Sequence, residues 1–226
     1  MSILFIRRYT VTQATIQALQ GLRDLSMIKW HVIPLLAIVF YIYTREMKEA
    51  RTSGNWNAIF AGLTIFGVDF FNETWNGWVM HLTQRSAVWT TPGDTALRTM
   101  VGWNIEIMFM FSIIGIIFYH TLTGKNIKIL GIPEQWFWAI GYSAFCVFVE
   151  CLLNVGGHLV WEYEYWRLSF KGVWLIFLFG YFHFFFFANI VIGLSTIKKK
   201  IIAVGIIYAV PIIMNIIALG FLGWMY

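Results

Sequence analysis

Residues 172–197, GVWLIFLFGYFHFFFFANIVIGLSTI, and 201–226, IIAVGIIYAVPIIMNIIALGFLGWMY, decide the fold. Each runs 26 residues without Asp, Glu, Lys or Arg, and only the triplet Lys198-Lys199-Lys200 separates them. At a rise of about 1.5 Å per residue, about 20 apolar residues cross the hydrocarbon core of a bilayer. Both stretches are therefore expected to be membrane helices. Working outward, four further apolar stretches are interrupted by polar groups: 27–45, 56–82, 100–122 and 135–161. The punctuation agrees with helix ends there. Gly54 closes a loop, Pro92-Gly93 turns another, Gly124 stops a helix, and Pro133 suits a first helical turn.

Composition points the same way. Of 226 residues, 59% are hydrophobic, 19% aromatic and 12% charged, where a soluble chain carries about 25% charged residues. Mean hydropathy is +0.70. The net charge of +5 arises from basic residues between apolar runs, which suits lipid headgroups rather than a nucleic-acid groove. Sixteen Lys and Arg divide equally between the two sides of a six-span arrangement, so they give no orientation. Residues 1–25 differ: Val11, Ala14, Ala18, Leu19, Leu22 and Leu25 share one helical face, with Arg7 and Arg8 near the start, as in an interfacial amphipathic helix. The expected architecture is all-α: a polytopic membrane bundle of about six transmembrane helices, residues 26–226, preceded by that interfacial helix. Cys146 and Cys151, inside the fourth span, read as packing residues.

Ionisable groups at bilayer depth are costly and mark functional sites. In the second span Asp69, Asn72, Glu73 and Asn76 fall within an arc of about 100°. Two carboxylates four residues apart repel if both ionise, so the pair is expected to hold a proton, as acid–base chemistry requires. In the fourth span Glu150, Asn154, Gly157, His158, Trp161 and Tyr165 lie within about 100° of arc and make a second stripe. The third span contributes Glu106, one turn inside its start. His183, set in a run of phenylalanines, and Tyr208, on one face with Asn215, add polar groups to the last two spans.

Acids, amides and aromatic walls together suit proton-initiated reactions of an olefinic lipid, because aromatic faces stabilise cations. Glu73 and Glu150 are the expected proton-transfer residues, and Asp69 and Glu106 share or tune the proton. Asn76, Asn154, His158, Trp161, His183 and Tyr208 line or orient the substrate. The expected partners are the lipid bilayer and a membrane lipid or isoprenoid, with no cofactor, no metal and no nucleic acid. Two rival classes use the same acids: a proton-coupled carrier, and a metalloenzyme drawing on Asp69, Glu73, Glu106, Glu150 and His158.

The residues also bear a resemblance. A polar residue four before an acid, Asp69 and Glu73, followed by aromatics, resembles the second-helix motif of the emopamil-binding, sterol-isomerase-like membrane proteins. Glu106 stands at the place of their third-helix acid and Asn189 at that of a later asparagine. Asp69 departs from their histidine, and six spans depart from their five. Membrane-bound meroterpenoid cyclases are similar in an acid comparable to Glu73, with Glu150 in place of an acid that they carry in the last helix. Both resemblances imply acid–base isomerisation or cyclisation of a sterol-like or isoprenoid lipid.

Overall fold

The last two apolar stretches form two long rods in the computed structural model, which describes residues 11–125 and 127–226. Helix α6 (Phe170–Leu175) passes through a π-helical turn (Ile176–Phe182) into α7 (His183–Gly193). Helix α8 (Ile197–Asn215) continues into a second π-helical turn (Ile216–Phe221). Before them come α1 (Gln13–Leu19), α2 (Val32–Ser53), α3 (Asn57–Thr83), α4 (Ile105–Thr121) and α5 (Glu134–Val155). Among the described residues three helices are long and apolar enough to cross a membrane by length and composition: Glu134–Val155, Phe170–Gly193 and Ile197–Phe221.

Helix α3 is the hub, packed against α4, α7 and α8. Small residues set the spacing. A Cβ on Gly115 of α4 would run into the backbone of Ala61 and Gly62, and one on Gly67 would meet the Tyr208 ring of α8 at 2.7 Å. Ile65 and Val68 of α3 meet Phe111, Ile114 and Phe118 of α4 and Phe184 and Phe185 of α7 in the main apolar core.

Several helix ends lie away from the expected boundaries, each for a local reason. Helix α2 runs on to Ser53, through Arg45, Glu46, Lys48, Glu49 and Arg51, because these side chains favour helix; it stops at Gly54 with φ 75°. Lys198–Lys200 lie in the first turn of α8, not in a loop, because the Thr196 hydroxyl caps Lys199 N–H at 3.2 Å. Asn104 caps Ile107 N–H at 2.9 Å, so α4 starts at Ile105 and residues 100–104 belong to the preceding loop. Helix α5 ends at Val155, since Gly156-Gly157 turns the chain with φ +73° at Gly157. The last rod stops at Phe221; Gly223 (φ +64°) then sends the chain back, and Tyr226 is buried against Gly77 of α3.

The loops at one end of the bundle form a cap. Strand β1 (Trp89–Thr90) pairs antiparallel with β6 (Val160–Trp161), placing Trp89 opposite Trp161. Strand β2 (Arg98–Met100) pairs with β3 (Trp103–Asn104). Between α4 and α5, β4 (Lys128–Ile129) and β5 (Ile132–Pro133) make a short hairpin at the other end. Arg98, only 2% exposed, holds the cap together: its guanidinium donates to the carbonyls of Thr91 (2.7 Å), Ala18 (3.1 Å), Gln20 (3.1 Å) and Gly93 (3.0 Å).

Helix α1 is part of this cap and is shorter than the helix expected over residues 1–25. Among the described residues the helix covers Gln13–Leu19 only; Thr15 and Ala18 are fully buried, and Thr12 donates to Glu162 at 2.7 Å. Gly21 and Arg23 adopt positive φ and end the helical face before Leu22 and Leu25. Residues 1–10, with Arg7 and Arg8, lie outside the described residues.

Candidate active site

Three acids and three indoles meet under the cap. Asp69 and Glu73 come from α3 and Glu150 from α5, and all are buried, at 3%, 4% and 5% exposure. Each accepts a hydrogen bond from a tryptophan of the cap. Trp103 Nε1 donates to Asp69 Oδ2 at 2.7 Å, Trp89 Nε1 to Glu73 Oε1 at 2.8 Å, and Trp161 Nε1 to Glu150 Oε1 at 2.7 Å. The β1–β6 pairing explains two of these bonds, because residues opposite each other in an antiparallel pair project to the same face. Trp89 and Trp161 therefore reach down together, one to each glutamate.

Asn76 locks the arrangement. It is fully buried, accepts from Val88 N–H (2.7 Å) and Trp89 N–H (3.3 Å), and donates to Trp89 O at 2.8 Å. Its role is to fix the strand that carries Trp89. Gly102 lies over the same point; a Cβ there would stand 2.6 Å from Glu73 Oε2, Asn76 Nδ2 and Trp89 Nε1. The second oxygen of Glu73 has no hydrogen-bond partner among the described residues. A buried polar atom without a partner is costly and rare, and marks a place where a proton belongs.

The acids open into a cavity of about 630 Å³ between α3, α4, α5 and the π-helical turn of the α6–α7 rod. Asp69, Asn72, Glu73, Glu106, Glu150 and His158 supply polar groups to its wall. Trp89, Trp166, Tyr181, Phe184 and Phe111 line its closed side. Met110, Ile117 and Phe145 also line it, yet are 37%, 47% and 59% exposed on the outer, apolar surface. The cavity therefore has a lateral opening between α4 and α5. From Asn104 to Ile117 its wall follows α4 for about 20 Å, with acids at the capped end and aliphatic side chains at the other.

The remaining expected residues occupy different positions. Glu106 lies at the rim, with its carboxylate already engaged by Thr95 Oγ1 (2.6 Å), Ala96 N–H (2.8 Å) and His31 Nε2 (3.3 Å), so it anchors the loop and the start of α2. His158 and Trp161 do not continue a helical stripe from Glu150, because α5 has ended. His158 reaches the wall from the turn, and Trp161 reaches Glu150 from β6. Asn154 donates to Leu159 O at 3.0 Å and holds that turn. His183 stands behind the wall, donating to Asn72 Oδ1 at 3.1 Å, while Asn72 Nδ2 reaches Gly180 O at 3.5 Å in the π-helical turn. Tyr208 packs between α8 and α3, donating to Leu63 O at 3.0 Å, and is not among the residues lining the cavity. Cys146 lines the cavity, and both cysteines are free thiols. Among the described residues no group of three or more His, Cys, Asp or Glu side chains is spaced to ligate a metal ion.

Trp89, Trp103, Arg98 and Gly102 were not expected as site or cap residues. All lie in the loop before α4, and no spacing or periodicity in that stretch signals them.

Comparison with known proteins places the chain. A family model described as an uncharacterized membrane protein family matches residues 12–220. An uncharacterized protein of Archaeoglobus fulgidus is 42% identical over 214 residues, covering 94% of this chain and 99% of the relative. No solved structure matches. An apolar bundle of this kind and a match over nearly the whole chain lead to one conclusion: this is a multi-pass integral membrane protein, and it belongs to that uncharacterized membrane protein family.

Proposed function

We propose that this protein is a membrane enzyme that isomerises or cyclises an apolar isoprenoid or sterol-like lipid by acid–base chemistry. The observation that carries the proposal is the set of three buried carboxylates, each pinned by an indole, in the wall of a cavity open to the side between α4 and α5. Such an opening admits a substrate directly from the bilayer.

The chemistry is redox-neutral and needs no co-reactant. A carboxylic acid at Glu73 or Glu150 gives its proton to one carbon of a double bond. The cation that forms is held against Trp89, Trp166, Tyr181 and Phe184. The other glutamate, as carboxylate, removes a proton from a neighbouring carbon, and the lipid leaves with its formula unchanged. The indole N–H groups fix one oxygen of each acid and leave the other for the proton. Asp69, one turn from Glu73, shares the charge of the pair. Glu106, held by three partners, serves as an anchor.

The same proposal counts six crossings: α2, α3, α4, α5, the α6–α7 rod and α8. Helices α2, α3 and α4 have 22, 27 and 17 residues, or about 33, 40 and 26 Å, which matches a hydrocarbon core of about 30 Å. The likeness to sterol-isomerase-like proteins extends, in this proposal, to Glu73 and to the class of chemistry. It does not extend to Asn189, which donates to Gln135 O at 3.1 Å and does not line the cavity.

The test is mass spectrometry of lipids that stay with the gently solubilised protein, with elemental analysis of the same sample. The expected result is a stoichiometric isoprenoid or sterol-like lipid. Stoichiometric iron, manganese or zinc, or no bound lipid at all, overturns the proposal.

A further inference from the structure

We infer that the cavity takes a lipid whose polar end is an uncharged hydroxyl seated among the carboxyls of Asp69, Glu73 and Glu150, and that it rejects lipids ending in phosphate, diphosphate or carboxylate. This inference rests on the proposed function for the claim that the occupant is a lipid, and goes further by assigning its headgroup. Two independent features carry it.

The first is charge. Asp69, Glu73, Glu150, Glu106 and Asp94 line the cavity, and no Lys or Arg is among its described lining residues. The nearest arginine of the cap, Arg98, spends its guanidinium on four backbone carbonyls. Lys29 is engaged with Asp94 at 2.6 Å. An anionic headgroup under the cap would face several carboxylates across a medium of low polarity, with no Lys or Arg among the described lining residues to offset them.

The second is the hydrogen-bonding character of the wall. Asp69, Glu73 and Glu150 line the cavity, and each is held by one indole N–H. A hydroxyl both donates and accepts, so it pairs with a carboxyl of this wall whether that group is ionised or protonated. The shape fits as well. Gly102 beside Glu73 and Gly115 beside Ala61 and Gly62 fix the register of α3 on α4. That register puts Glu73 at the capped end and leaves Ile113, Ile117, Tyr142 and Phe145 along the other end. A single-headed lipid thus lies head under the cap, tail toward the opposite membrane face.

The experiment is competition measured by native mass spectrometry on the intact protein in detergent. The probes are a C20 polyprenyl alcohol, the corresponding hydrocarbon lacking the hydroxyl, and the corresponding diphosphate with and without Mg²⁺. The alcohol is expected to bind at least about five-fold more tightly than the hydrocarbon, because the hydrocarbon offers the carboxyls of the wall no partner. The diphosphate is expected not to compete. Val149→Trp, which fills the cavity from α5, should abolish alcohol binding while Glu162→Gln preserves it. Diphosphate binding equal to or tighter than the alcohol overturns the inference, and binding strengthened by Mg²⁺ would make the acids a cation-bridged anion site. Equal binding of alcohol and hydrocarbon also overturns it. These outcomes concern affinity only, so they stand apart from whether the lipid is turned over.

Discussion

Replacing Gly102 with alanine tests the geometry over Glu73. The added Cβ would lie 2.6 Å from three atoms at once: Glu73 Oε2, Asn76 Nδ2 and Trp89 Nε1. Carbon packs at about 3.5 Å or more from its neighbours, so each must give by nearly 1 Å. None is free to do so: Asn76 is bound to the β1 backbone at both ends, and Trp89 is held by Glu73 and stacks on Trp166 at 5.6 Å. Overpacking of this kind costs about 1–3 kcal/mol. Breaking the Trp89–Glu73 bond leaves a buried donor and a buried acid unpaired, at about 1–3 kcal/mol more. The expected loss is therefore about 2–6 kcal/mol, which lowers the thermal midpoint by at least about 4 °C for a chain of this length. The assay is thermal unfolding in one detergent against Gly205→Ala, a helical site with nothing within 4 Å of a new Cβ, where no loss is expected. If Gly102→Ala melts with the parent protein, the loop does not sit over Glu73 as described and the site geometry is wrong.

Two further substitutions probe the cap. Trp161→Phe keeps an aromatic ring but removes the donor to Glu150; it should fold, cost about 1–3 kcal/mol and depress turnover more than Trp166→Phe, which leaves all three acids paired. Equal effects of the two would mean that the indole bond to Glu150 has no role. Arg98→Lys keeps the charge and loses the fork that reaches four carbonyls. It should destabilise by about 3 kcal/mol or more and expose residues 84–104 to limited proteolysis; an unchanged digestion pattern would show that Arg98 does not hold the cap.

How much of this was legible in the sequence can be judged residue by residue. The two uninterrupted runs declared their rods, because 26 residues without a charge leave a chain few alternatives in water. Asp69, Glu73 and Glu150 were legible because intramembrane acids are costly wherever they face. What periodicity misjudged was the extent of α5: it carried the Glu150 stripe on to Trp161, whereas Gly156-Gly157 ended the helix. Trp161 nonetheless meets Glu150, through a strand pairing with Trp89, far earlier in the chain, that no local pattern encodes. Arg98 looked like a loop charge bearing on orientation. Its burial depends on carbonyls from α1 and from its own loop, a long-range arrangement that only the fold brings together. Tyr208 and Asn76 looked like lining residues because a helical face shows which side a residue takes, not which neighbour stands there.

The most direct measurement is incorporation of solvent deuterium into carbon. The protein, with the lipid that co-purifies with it, is incubated in D₂O, and the recovered lipid is analysed by mass spectrometry. Carboxyl protons exchange with solvent, so proton transfer from Glu73 or Glu150 to a double bond would leave deuterium in the recovered lipid. The account predicts such incorporation by the parent protein and by Glu162→Gln, and its loss in Glu73→Gln and Glu150→Gln even though both variants fold. Lipid recovered without deuterium from the parent protein, or labelled equally by both buried variants, would contradict it.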